Sequence, residues 1–163
     1  MKIVINPFDK GSIDNAIKQV TQYERDFKRK EEEFVRRLKE LGVSVATAGF
    51  ATADYDGVND VLIAETQLGG RAAIIAYGEA VGFIEFGTGV KFREWNGGDT
   101  QYTPPAHGTY GKGHGKNPHG WWFKQSDGAV ARHTYGNPPA EAMLEARNAM
   151  IEQVVAIARE VWK

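Results

Sequence analysis

Cysteine is absent from the chain, which removes disulfide staples, thiolate zinc sites and a cysteine nucleophile together. The absence also suits a reducing cytoplasm, where the chain is expected to be made and to stay. No stretch approaches the roughly 20 apolar residues of a membrane-spanning helix, and the opening MKIVINPFDKGS has too short an apolar run for a secretion signal. No membrane partner is therefore expected. An excess of either charge is missing as well: 20 Lys and Arg stand against 21 Asp and Glu, a formal net charge of −1. Such a chain lacks the field that gathers nucleic acid around a basic protein, so any DNA contact has to be local. With 42% hydrophobic and 25% charged residues over 163 positions, wholesale disorder is excluded and a single domain, 1–163, with a proper core is expected.

The apolar residues that are present change period along the chain. Lys2 to Ile5 reads as a short edge strand stopped by Asn6-Pro7. Ser12 reads as a helix cap, and Ile13, Ile17, Val20, Phe27, Phe34, Leu38 and Leu41 then recur at steps of three, four and seven, one face of a long helix. Gly42 is read as its end. The other face carries both charge signs, with Glu32/Arg36 and Glu33/Arg37 at helical neighbour spacing. At about 1.5 Å per residue this helix outruns the core of so small a domain, so part of it is expected to pack on a neighbouring subunit.

Alternation at period two over Val43, Val45 and Thr47, then Val61–Ala64 and Ala72–Ala76, predicts strands, with Gly69-Gly70 as a hairpin turn. A second hairpin is predicted from Trp121–Lys124 and Ala129–Arg132 around Asp127-Gly128. Asn137-Pro138-Pro139 opens a final helix whose apolar positions, from Met143 to Trp162, read as core throughout. The expected fold is α+β: a long N-terminal helix, an antiparallel sheet of about four to five strands, and a C-terminal helix packed on the sheet.

Between Gly87 and Gly120 lie nine glycines, three prolines and three histidines without a sustained period, a long loop of the kind that is functional or orders on binding. His107, His114, His119 and His133 are the candidate metal ligands, but they lack a stiff element and carboxylates to complete a shell. Gly87–Gly89 and Gly111–Gly115 fall short of a nucleotide-binding fingerprint, and neither GxSxG, HExxH nor a Walker loop occurs. Neither an enzyme nor a cofactor is expected. Lys91, Arg93, Lys112, Lys116 and Lys124 are interleaved with Trp95, Tyr102, Tyr110, Trp121 and Trp122. That mixture serves either as anchors of a protein interface or as a single-strand nucleic-acid surface, with cations for phosphates and aromatics for bases.

One segment goes further. Ala76-Tyr77-Gly78-Glu79-Ala80-Val81-Gly82-Phe83-Ile84-Glu85-Phe86-Gly87-Thr88-Gly89 resembles the signature of the neck and tail-component family of long-tailed bacteriophages, a strand end leading through a short turn into Glu-Phe-Gly-Thr. Pro138-Pro139-Ala140 and the residues to Ala146 resemble the family's proline-marked entry to a closing helix. The resemblance implies a virion protein assembled in the host cytoplasm, forming a ring at the head–tail junction. Sixfold symmetry follows from the family's tails alone. It implies as partners other copies of the chain, the head-completion or connector proteins, the tail terminator or tail tube, and DNA passing without sequence-specific binding. The residues expected to serve assembly are Phe83, Glu85, Phe86, Gly87, Thr88, Trp95, Trp121 and Trp122. Gly87 is read as a positive-φ corner, with Glu85 and Thr88 as hydrogen-bonding partners that fix the exit of the loop.

Overall fold

The computed structural model describes residues 3–68, 71–88, 119–123 and 131–163. The elements in chain order are α1 (Lys10–Ala51), β1 (Leu62–Leu68), β2 (Arg71–Tyr77), α2 (Val81–Phe86), β3 (Trp121–Phe123), β4 (Arg132–Thr134) and α3 (Ala142–Val161). They group into two compact units, one of Met1–Leu38 with Val154–Lys163 and one of Lys39–Gln153.

In the first unit, α1 begins earlier than expected. Asp9 rather than Ser12 caps it: the Asp9 carboxylate accepts the Gly11 N–H at 2.9 Å and the Asp9 carbonyl accepts those of Ser12 and Ile13. The Ser12 hydroxyl turns back to take the Asn6 N–H at 2.8 Å. That bond satisfies the incoming chain locally, and Ile3 to Ile5 form no strand. The C-terminal end of α3 supplies the covering for α1 here. The Trp162 ring packs edge-on against Phe34 at 5.2 Å and lies 6.4 Å from Phe27. Around this aromatic contact the Arg37 guanidinium bridges Glu33 and Glu160, each at 2.8 Å. Glu33 also meets Arg36, and these guanidinium hydrogen bonds, Arg37 first, hold its carboxyl below the usual range.

In the second unit, α1 runs on through Gly42, where the sequence pattern predicts its end, and through Val43–Thr47, where it predicts a strand. The reason is packing. Gly42, Ala46 and Phe50 are buried at helical steps of four, and Gly42, Ala46 and Gly49 form a seam of small residues that admits close neighbours. A Cβ on Gly42 would collide with Ile74 and lie 2.8 Å from Met150 Sδ, and one on Gly49 would lie 2.7 Å from Ala142 Cβ. The missing side chains thus let β2 and α3 approach the helix. The Asn59 amide closes the last turn by donating to the Phe50 carbonyl at 2.8 Å.

The structure is α+β, as expected, but the expected single sheet of four to five strands is not seen among the described residues. The described residues hold two separate two-stranded antiparallel sheets, β1 with β2 and β3 with β4. Leu68 faces Arg71 in the first register, which places the hairpin where expected, although Gly69-Gly70 lie outside the described residues. In the second, Trp122 faces His133; β4 starts at Arg132, where the pattern predicts a strand to end. The core gathers Phe50, Ala80, Ile84 and Ala142, flanked by Ile63, Ala76 and Met143. It joins the end of α1, the start of α3, α2 and the first hairpin.

The closing helix also differs from expectation. It starts at Ala142, after Asn137-Pro138-Pro139, because Ala140 and Glu141 donate their N–H groups to the carbonyls of Ile84 and Glu85, at 2.8 and 3.2 Å, before the helix begins. Its buried residues are Ala142, Leu144 and Ala146, while Ile151 and Val155 stand more than half exposed. It is core at its start, not from end to end.

Candidate functional site

The segment that carries the resemblance folds into a joint between β2 and α3. At its entrance Gly78 takes φ 140°, with Asp60 backbone so close that a Cβ would lie 2.7 Å from its carbonyl oxygen. The Asp60 carboxylate accepts the N–H groups of Glu79 and Ala80 at 2.7 and 2.9 Å. The Ala80 and Glu79 amides hold this carboxyl below the usual aspartate range. These two bonds start α2, which stands where a short turn is expected. Ile84, fully buried, anchors it in the core.

The exit of α2 is fixed by three residues. Gly87 adopts φ 69°, and a Cβ there would meet the Asn137 carbonyl at 2.8 Å and the Pro139 nitrogen at 2.7 Å. It is the corner expected from the sequence, and close backbone on one side makes glycine necessary as well as favourable. Thr88 and Asn137 then clasp each other. Their backbones exchange N–H···O bonds of 2.9 and 3.2 Å, the Thr88 hydroxyl donates to Asn137 Oδ1 at 2.5 Å, and it accepts the Asn137 N–H at 3.1 Å. The Asn137 amide nitrogen donates onward to the Phe83 and Pro138 carbonyls. Thr88 and Asn137 are both buried, and the clasp closes the root of the segment that begins after Thr88.

Glu85 acts in a different place from the one expected. Only 2% exposed, its carboxylate accepts the Met143 N–H at 3.1 Å and the Leu144 N–H at 3.4 Å. It caps α3 from another helix, supplying both an acceptor and negative charge at the positive end of the dipole. A cap is needed from elsewhere because Glu141, the residue at the N-cap position, sits at φ 50°. Its own carboxyl is raised above the usual glutamate range, first by burial and then by the neighbouring Glu85 and Glu145.

The remaining expected residues are spread over the second unit. Phe83 presents a partly exposed ring from α2, and Phe86 is half-buried at the end of that helix. Trp121 is half-buried on β3, while Trp122 is 70% exposed. On one face of the second hairpin, Trp122, His133 and Tyr135 form a run of edge-on rings with centroids 5.2 and 4.9 Å apart. The His133 Nε2 lies 2.9 Å from the His119 carbonyl, which fixes that ring. Trp95, His107 and His114 lie outside the described residues, as does most of the 87–120 loop. Among the described residues no group of three or more His, Asp or Glu side chains is placed to hold a metal ion, and no helix is long and apolar enough to cross a membrane.

Sequence reasoning missed three participants: Asp60, Asn137 as the partner of Thr88, and Glu141. Asn137 was legible only as a helix opener because nothing in the spacing joins positions 49 apart. No family model, curated protein or solved structure matches the chain.

Proposed function

We propose that this chain is a structural protein of a tailed bacteriophage, a neck or tail-completion protein that forms a ring at the head–tail junction and joins head to tail around the DNA channel. The observation that carries the reading is how Glu85-Phe86-Gly87-Thr88 is used. Its polar groups are spent on a cap, a corner and a clasp, all aimed at the entry of α3. The phrase is thus a fold-holding device, as the signature of an assembly protein would be, and the chemistry of an active site is not needed to account for it. The large side chains left open, Phe8, Ile17, Trp122, Ile151 and Val155 among them, support the reading because apolar surface of this extent marks contacts with other molecules. Copies of the chain are the first partners, then the connector proteins of the head and the terminator or tube proteins of the tail.

Deleting the gene from the phage or prophage that encodes the chain tests this directly. Filled heads and free tails, rejoined when the chain is added back, are the expected products. Normal particles without the protein would overturn the proposal. A second reading, a single-strand nucleic-acid module, draws on the exposed ring run Trp122–His133–Tyr135, since base stacking needs such faces. It requires salt-sensitive oligonucleotide binding that falls at least tenfold in Trp122→Ala, and fails if titration shows none.

A further inference from the structure

The apolar stripe of α1 continues past the point where its own chain covers it. Ile13, Val20, Phe27, Phe34 and Leu41 follow one another at steps of seven, and Ile17 and Leu38 fall on the same face four residues after Ile13 and Phe34. In the first unit, Phe34 is half-buried under Trp162, and Phe27 touches the rim of that contact. Upstream the same stripe lies open: Ile17 is 59% and Val20 50% exposed, with Tyr23 beside them equally bare. The chain entering the helix adds Phe8, 97% exposed.

We infer that the N-terminal half of α1 together with the chain that enters it, from Val4 to about Phe27, docks on the same segment of a second copy of the chain. Area supports a stable contact. Eight large apolar residues between Val4 and Phe27 are each more than a third exposed. At about 150–250 Å² for a fully exposed aromatic side chain and somewhat less for an aliphatic one, they leave on the order of 800 Å² per copy, the per-partner area of a standard stable interface. Charge supports a copy of itself over other partners. Between Lys10 and Glu33 the helix carries six cations and six anions, so two copies meet without net repulsion. A balanced face of this kind favours neither a nucleic acid nor an anionic membrane, both of which select a basic polar face. Period supports it as well: an apolar residue recurs at every seventh position from Ile13 to Leu41, with Ile13, Val20 and Phe27 in the docking segment, and such a repeat matches another helix with the same repeat and the same supercoil.

Glu24 lies in the middle of the open part of the seam, four residues after Val20 and three before Phe27. It marks the contact as tuned below its maximum strength, as suits a ring assembled from free subunits. The contact deepens the ring reading and rests on it for its biological meaning, while its existence is measurable on the purified chain alone.

Sedimentation of the full-length protein over a concentration series tests it, with circular dichroism to verify that helix content is retained. The wild type is expected to associate reversibly. Ile17→Asp with Val20→Asp should weaken association at least thirtyfold, and Glu24→Leu should strengthen it several-fold. A chain that stays monomeric at every concentration, with Glu24→Leu monomeric too, overturns the inference. So does association unchanged by the paired aspartates, since copies would then meet through another surface and the ring reading would stand without this contact. Association through this seam in a protein that no phage particle requires would instead remove the ring reading and leave the contact intact.

Discussion

Glu85 and Glu141 divide between them a task that one residue usually performs. The N-cap position of α3 belongs to Glu141, whose carbonyl accepts the first helical bond, from the Glu145 N–H at 2.9 Å. Its φ of 50° is a conformation that costs a non-glycine residue about 1–2 kcal/mol. Glu85 supplies the capping oxygen from α2. Replacing Glu141 by glycine should therefore raise stability by about 1 kcal/mol at neutral pH, read from the urea midpoint. Glu141→Gln, which leaves the backbone cost in place, separates the charge. Because the folded state raises this carboxyl, its ionised form weakens the fold at neutral pH; the penalty fades as pH falls toward and below the ordinary value of 4.5. The glutamine variant should accordingly be more stable than wild type at pH 7 and indistinguishable from it near pH 3. Glu85→Ala should act in the opposite sense, by about 2–3 kcal/mol, since it leaves the Met143 and Leu144 N–H groups buried without their acceptor. Gly87→Ala combines a positive φ with the Asn137–Pro139 backbone pressed against the new methyl and should cost about 2 kcal/mol or more in the same measurement.

Among the elements, α1 departs furthest from its hydropathy pattern. Gly42 and Gly49 lie inside it, where glycine ordinarily weakens a helix by about 1 kcal/mol relative to alanine. Both are kept for space, but the neighbours differ in how readily they yield. At Gly42 an added methyl meets the ends of the Ile74 and Met150 side chains; at Gly49 it meets the Cβ and backbone Cα of Ala142. Gly42→Ala should therefore be close to neutral, while Gly49→Ala should destabilise by about 1–3 kcal/mol, the range for overpacking against atoms that cannot move aside. Chemical denaturation of the two variants side by side checks the difference. The start of α2 depends on Asp60 in a way that pH exposes. Its carboxyl is held below the ordinary value of 3.8 by the Ala80 and Glu79 amides, so its support of α2 is present above that value and is lost as pH falls through the lower, folded one. In Asp60→Ala the Glu79 and Ala80 amides should lose hydrogen-exchange protection at neutral pH, while protection across β1 and β2 is retained.

At the scale of the whole molecule, two groups of exposed apolar side chains have different characters. The first is the open seam of α1; the second is the second hairpin, where Trp122 and Tyr135 flank His133. Neither contributes much to holding the chain together, because each is already in water. Trp122→Ala should thus leave the thermal midpoint of the isolated protein unchanged within error, while, on the proposed function, reducing its incorporation into joined particles. An equal loss of stability and incorporation would mean that the ring run serves the fold rather than a partner.

Some of this was legible from the residues alone. The α+β class, the first hairpin, the long first helix and the positive-φ corner at Gly87 follow from local spacing and from glycine, and local rules govern them. The long helix stayed legible up to Leu41 because its apolar stripe is large-residue and periodic. Past Gly42 it was not, since the seam there is built from Gly42, Ala46 and Gly49, whose value lies in what they leave out and whose neighbours arrive from residues 74, 142 and 150. The same limit applies to the joint. The sequence marked Glu85, Gly87 and Thr88 as a unit, but only the tertiary structure decided that Glu85 caps a helix nearly sixty residues away and that Thr88 closes on Asn137. A hydrogen bond between distant positions leaves no period in either segment; it exists only once the core has brought α2 and the start of α3 together.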